Sequence, residues 1–229
     1  MRRIGLLGGM SWESSVEYER LINTEVRRRL GGSASADLVV RSYNFAVIQE
    51  LQEADRWDDA GALLAADALS LIASGAELIA LCTNTMHRVA PAIEQVIDVP
   101  FIHIADATTA AIHGAAVSTV GLLGTRYTME HDFYRGRLER GGIGVVIPGD
   151  DDRAVVHDTI FDELVRGIIS DGSRSEFLRV VDALVDRGAE GIVAGCTEIE
   201  LLVGPDDLGI PYFPTTALHA GAIVDASLA

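Results

Sequence analysis

An ordered internal duplication constrains this chain most. Ile4-Gly5-Leu6-Leu7-Gly8-Gly9 returns 116 positions later as Val120-Gly121-Leu122-Leu123-Gly124-Thr125. Gly75-Ala76-Glu77 returns as Gly188-Ala189-Glu190, and Val99-Pro100-Phe101-Ile102 as Ile210-Pro211-Tyr212-Phe213. The only two cysteines, in Leu81-Cys82-Thr83 and Gly195-Cys196-Thr197, stand 114 positions apart. Four landmarks in one order, at offsets of 111 to 116, imply two similar halves within the 229 residues.

The landmarks also indicate the secondary structure. Short apolar runs such as Leu78-Ile79-Ala80-Leu81 and Ile192-Val193-Ala194-Gly195 end in polar turns, as buried strands do. Helical periodicity fills the spacers: Ser11 to Leu30 with Ser11 or Ser14 as cap, Trp57 to Ser74 closed by Gly75, Val89 to Ile97 and Ala105 to Gly114. Strands alternating with helices predict an α/β fold made of two pseudo-symmetric parallel-sheet halves. The expected halves are 1–117 and 118–215, with a terminal helix over 216–229 packing back on the first and a cleft between them. Ligands of such sheets bind at the carboxyl ends of the strands, where both cysteines fall.

Charge and composition exclude several function classes. Against 34 acidic residues stand 18 basic ones, all arginine, for a net charge of −16, which repels nucleic acid. Arg27-Arg28-Arg29 is the one basic run, at the end of a predicted helix where the macrodipole favours it. No apolar segment reaches the ~18 residues that span a bilayer, and Met1-Arg2-Arg3 does not open a secretory pattern, so a cytoplasmic protein with free thiols is expected. The ligand types are too scattered for a zinc site. Gly8-Gly9 lacks the spacing of a dinucleotide fingerprint and the lysine of a phosphate-binding loop.

Two thiols related by pseudo-symmetry suit proton transfer on both faces of one carbon. A thiolate removes the proton, a thiol returns one from the opposite side, and the stereocentre inverts. A free thiol titrates near ~8.5, and nearby donors are expected to lower one of the pair. The carbanion then needs donors aimed at its carboxylate, which Thr83, Asn84, Thr85, Thr197 and the turns at Gly8-Gly9 and Gly124-Thr125 would supply, while Glu198 would receive an ammonium group. With no lysine in the chain there is no pyridoxal Schiff base, so no cofactor is expected.

Gly8-Gly9-Met10-Ser11-Trp12-Glu13-Ser14, Cys82-Thr83-Asn84-Thr85-Met86-His87, Gly124-Thr125-Arg126-Tyr127-Thr128-Met129 and Gly195-Cys196-Thr197-Glu198-Ile199 resemble the cofactor-independent aspartate/glutamate racemase family, and its broad-specificity branch in particular. The resemblance runs from Ile4 to about His219. It implies a homodimeric amino acid racemase with Cys82 and Cys196 as catalytic acid and base. Met10, Gln52, Thr83, Asn84, Thr85, Thr125, Thr197 and Glu198 would line the substrate site. Gln52 stands where a basic residue would hold an acidic side chain, and Arg166 is the other candidate for that task. The alternatives are a related malonate decarboxylase or maleate isomerase activity, or a non-catalytic module that binds a small carboxylate.

Overall fold

The computed structural model describes every residue from Met1 to Ala229. Eight strands form two four-stranded parallel sheets. The first contains β1 (Ile4–Gly8), β2 (Leu38–Ser42), β3 (Leu78–Leu81) and β4 (Phe101–Ile102), in the order β2-β1-β3-β4. The second contains β5 (Thr119–Gly124), β6 (Gly144–Val146), β7 (Gly191–Gly195) and β8 (Tyr212–Pro214), in the order β6-β5-β7-β8. The two sheets therefore share one topology, as the duplication predicts. Even their packing repeats: a Cβ on Gly5 of β1 would stand 2.7 Å from Ile79 Cδ1, and one on Gly121 of β5 would stand 2.8 Å from Ile192 Cδ1.

The chain divides into two compact units, Met1–Ile104 with His219–Ala229, and Ala105–Leu218. The division falls at the first residue of the helix Ile104–Gly114: Ile104 belongs to the first unit, and the rest of this helix, expected with the first half, groups with the second. In the first unit, Ile4 and Leu6 of β1, Tyr18, Ile22 and Val26 of the helix Trp12–Leu30, and Ala220, Ile223 and Val224 of the terminal helix Thr215–Leu228 make one buried cluster with Cys82. Each Ile, Leu or Val among them contributes about 1.5–3 kcal/mol when fully buried, so the last helix from His219 onward is an integral layer of this unit. In the second unit Leu123, Ile192 and Ala194 of the sheet pack against Phe177, Val180 and Leu184 of the helix Asp171–Asp186.

Local chemistry sets the helix starts. Ser11 is the cap that the sequence left open between two serines: its Oγ accepts from Ser14 N at 3.3 Å. Thr125 caps Arg126–Glu130 in the same way, accepting from Thr128 N at 3.4 Å. The segment expected to be one helix over 89–97 is instead a 3-10 turn, Thr85–Val89, followed by a short helix, Ala90–Glu94. Pro91 fits there because an early helical position needs no N–H partner. No helix is long and apolar enough to cross a membrane.

Candidate active site

Cys82 directly follows β3, and Cys196 directly follows β7, the corresponding strand of the other sheet. Both are free thiols. Each lies at the carboxyl edge of its sheet beside the end of the neighbouring strand: Cys82 N donates to Leu7 O at 2.9 Å, and Gly195 pairs in register with Gly124.

In the first unit, Cys82 is 1% exposed. The glycine turn beside it is held by a residue that the sequence reading did not single out, Ser15. Gly9 N donates to Ser15 Oγ at 2.6 Å, and Ser15 Oγ donates to Ser11 O at 3.1 Å. Gly9 has φ of 83°, and a Cβ there would overlap the Tyr43 backbone, so this position accepts glycine only. Met10 follows, buried, with a cis peptide to Ser11. Gln52, also buried, donates from Nε2 to Met86 Sδ at 3.0 Å, which ties the helix Phe45–Glu53 to the cysteine turn. Thr83 and Thr85 are half-buried and Asn84 is buried, and the Asn84 carbonyl accepts from His87 N at 3.0 Å. Cys82 also borders a cavity of about 290 Å³ shared with Leu6, Ser15, Val16, Val40 and Ser42.

In the second unit, Cys196 Sγ donates to Glu198 Oε2 at 2.8 Å. Thr197 Oγ1 lies 3.0 Å from Thr216 Oγ1, and Thr215 Oγ1 donates to Ala194 O at 2.8 Å. The Thr215-Thr216 pair therefore belongs to this strand-end cluster. Its sequence signal was two hydroxyls directly after β8, at the same sheet edge. Arg166, itself exposed, ends the 3-10 turn Leu164–Arg166 and faces Asp162 at 3.7 Å.

The thiols differ from the expectation in one respect. Neither is lowered: burial pushes Cys82 well above the ordinary thiol range. Cys196 is likewise raised, first by desolvation and then by the charge and hydrogen bond of Glu198, because a carboxylate beside a thiol opposes a second negative charge. Glu198, expected to meet a substrate ammonium, accepts a hydrogen bond from the Cys196 thiol.

The profile of the Asp/Glu/hydantoin racemase family matches residues 7–223. The chain is 49% identical to a candidate Asp/Glu racemase of known crystal structure from Yersinia pestis, with a TM-score of 0.96 and full coverage of both chains. An aspartate racemase homologue from Pyrococcus horikoshii is 30% identical, with a TM-score of 0.87, again over the whole of both chains. The broad specificity amino-acid racemase RacX of Bacillus subtilis is 24% identical over 99% of this chain and 98% of its own. A match of this extent, with the shared two-sheet topology, makes the chain a member of the Asp/Glu/hydantoin racemase family.

Proposed function

We propose that this protein racemises amino acids without a cofactor, using Cys82 and Cys196 as the two bases. The observation that carries the reading is the placement of two free thiols after equivalent strands of two like sheets, one of them hydrogen-bonded to a carboxylate. One sulfur, as thiolate, takes the Cα proton, and the C–H electron pair moves into the substrate carboxylate as an enediolate. The other sulfur, as thiol, protonates Cα from the opposite face, leaving thiol and thiolate exchanged. The reverse reaction then starts from that state, which is why duplicated halves suit it.

The raised thiols fit this chemistry better than lowered ones would. Cα is a very weak acid, and a desolvated thiolate is a stronger base than a solvated one, so burial narrows the mismatch in the transfer. Glu198 would take up the Cys196 proton before the first turnover, leaving that sulfur the thiolate, and keep it while the two sulfurs exchange a proton through Cα. Backbone and hydroxyl donors of the turns at Gly8-Gly9, Cys82-Thr85 and Gly124-Thr125 would stabilise the enediolate. Met10, Gln52, Thr83, Asn84, Thr85, Thr125 and Thr197 add no charge to the proposed site, and Gln52 offers an amide where an acidic side chain would need a cation. That favours substrates with uncharged side chains over aspartate and glutamate. The expected assembly is a homodimer, checked by light scattering.

The test is incubation of single enantiomers of the common amino acids in deuterated water. The mirror image should form carrying deuterium at Cα, and Cys82→Ala and Cys196→Ala should each lower the rate by about 10²–10⁴-fold or more. Full activity in both variants refutes the two-base reading. Turnover of malonates or maleate alone would move the protein to the lyase or cis-trans isomerase reading.

A further inference from the structure

Behind the Cys82 turn, the first unit buries three histidines. His87, His103 and His219 are 1%, 3% and 0% exposed, and the His87 ring centroid lies 4.4 Å from that of His103 and 5.8 Å from that of His219. The hydrogen bonds of two of them fix their tautomers, because a backbone N–H only donates and a carbonyl only accepts. His87 Nε2 accepts from Ile104 N at 3.3 Å, so the Nδ1 that meets Thr83 O at 2.7 Å must carry the proton. His219 Nε2 meets Ile102 O at 2.7 Å and must donate, while its Nδ1 takes the Tyr18 hydroxyl at 2.8 Å. Both nitrogens of each ring are engaged, so neither ring is free to ligate a metal.

Together the two rings hold the chain on either side of His103, through Ile102 O at the end of β4 and Ile104 N at the start of the next helix, and His87 passes that grip to the carbonyl of Thr83, the residue after Cys82. The two respond differently to a proton. A protonated His219 keeps its Ile102 bond, and the Tyr18 hydroxyl turns to accept from Nδ1. A protonated His87 sets Nε2–H against the Ile104 N–H, and a backbone amide cannot turn. Titratable rings packed against His87 include those of His103 and His219, and Tyr18 bonds His219 in turn. The neighbouring Arg88 is turned away, 4.1 Å over the Trp57 ring and 3.9 Å from Asp55.

We infer that His87 is a positioning residue for Cys82: in its neutral Nδ1–H form it clamps the Thr83 carbonyl to Ile104 N, at the start of the helix after β4, and taking up a proton releases the clamp. The inference rests on Cys82 being one of the two bases, and it adds an acid-sensitive support that the chemistry itself does not require. Loss of the clamp misplaces the sulfur against Cα while leaving most substrate contacts in place.

The experiment has a wild-type arm and a variant arm. Nitrogen-15 spectra of the labelled wild-type protein should show His87 neutral with the proton on Nδ1 at pH values where it is active; a proton on Nε2 overturns the inference. His87→Leu, which removes both bonds, should lower kcat by about 10- to 100-fold with KM within about twofold, and should change the rate at which iodoacetamide alkylates Cys82. His87→Gln offers an amide donor and an oxygen acceptor that take up no proton. It should recover most of the rate and lose a step that wild type shows on the acid side of its kcat profile. Identical acid limbs in wild type and His87→Gln, or a His87→Leu protein with unchanged kcat and unchanged Cys82 alkylation, overturn the inference. Should Cys82→Ala remain fully active, the racemase reading fails by itself. The tautomer and the substrate-free alkylation rate still decide whether His87 positions the sulfur.

Discussion

At Cys196 the thiol donates a hydrogen bond to the Glu198 carboxylate over 2.8 Å, and the carboxylate raises the thiol second only to desolvation. Replacing Glu198 by glutamine removes the negative charge and the proton acceptor together. Two outcomes are expected of Glu198→Gln. Alkylation of Cys196 should shift to lower pH, because the thiolate is no longer opposed, and racemisation should fall by about 10²-fold, because the proton has nowhere to go. Alkylation mapped by mass spectrometry against pH checks the first, and the deuterium assay the second; an unchanged alkylation profile would show that Glu198 does not govern the sulfur. Both cysteines also affect stability, and the sign follows from their direction. A thiol raised in the folded state keeps its proton where the unfolded chain loses it, so its contribution is full below the unfolded value of ~8.5 and is lost as pH climbs past it. Unfolding by urea at neutral and at alkaline pH should show this loss in wild type and less of it in Cys82→Ala.

Glycines that the duplication preserves let neighbouring side chains pack directly onto the strands. At Gly121 an added Cβ would lie 2.8 Å from Ile192 Cδ1 and 2.9 Å from Leu184 Cδ1. Gly121→Ala should therefore cost about 1–3 kcal/mol through overpacking, and Ile192→Val in the same chain should recover part of it. Denaturant midpoints of the two single variants and the double variant measure this directly. A helix end offers a smaller effect. Hydrogen bonds from Arg28 and then Arg29 pull the Glu25 carboxyl down to about 2, and Arg29 reaches on to Asp225 of the terminal helix at 2.5 Å. A lowered carboxyl gives stability that is present above its unfolded value of ~4.3 and lost as pH falls through the folded one. The cluster is solvent-screened, so Glu25→Gln should cost under about 1 kcal/mol and the difference should shrink in high salt.

For the molecule as a whole, the terminal helix closes the first unit, since Ile223 and Val224 are buried against β1 and the helix Trp12–Leu30. Val224→Asp, which buries an unpaired carboxylate, should cost more than about 3 kcal/mol, and a thermal melt with an unchanged midpoint would contradict that packing. Two sheets, their parallel strands and the cysteines at equivalent strand ends were legible in the sequence. Apolar period, glycine turns and the repeat itself are local or self-similar signals, and they sufficed for that much. What only the tertiary structure decided depends on partners far apart in the chain. Tyr18 meets His219, Gln52 meets Met86, and Glu198 turns back on Cys196 instead of standing free. The state of the thiols reversed for the same reason: a side chain's charge is set by the solvent it loses and the neighbours it gains, and neither is written in its own segment. The helix Ile104–Gly114 likewise adjoins the first half in sequence, yet its Asp106 pairs with Arg137 and its Thr108 bonds Tyr134, both from the second unit, because partners and not sequence order decide where an element packs.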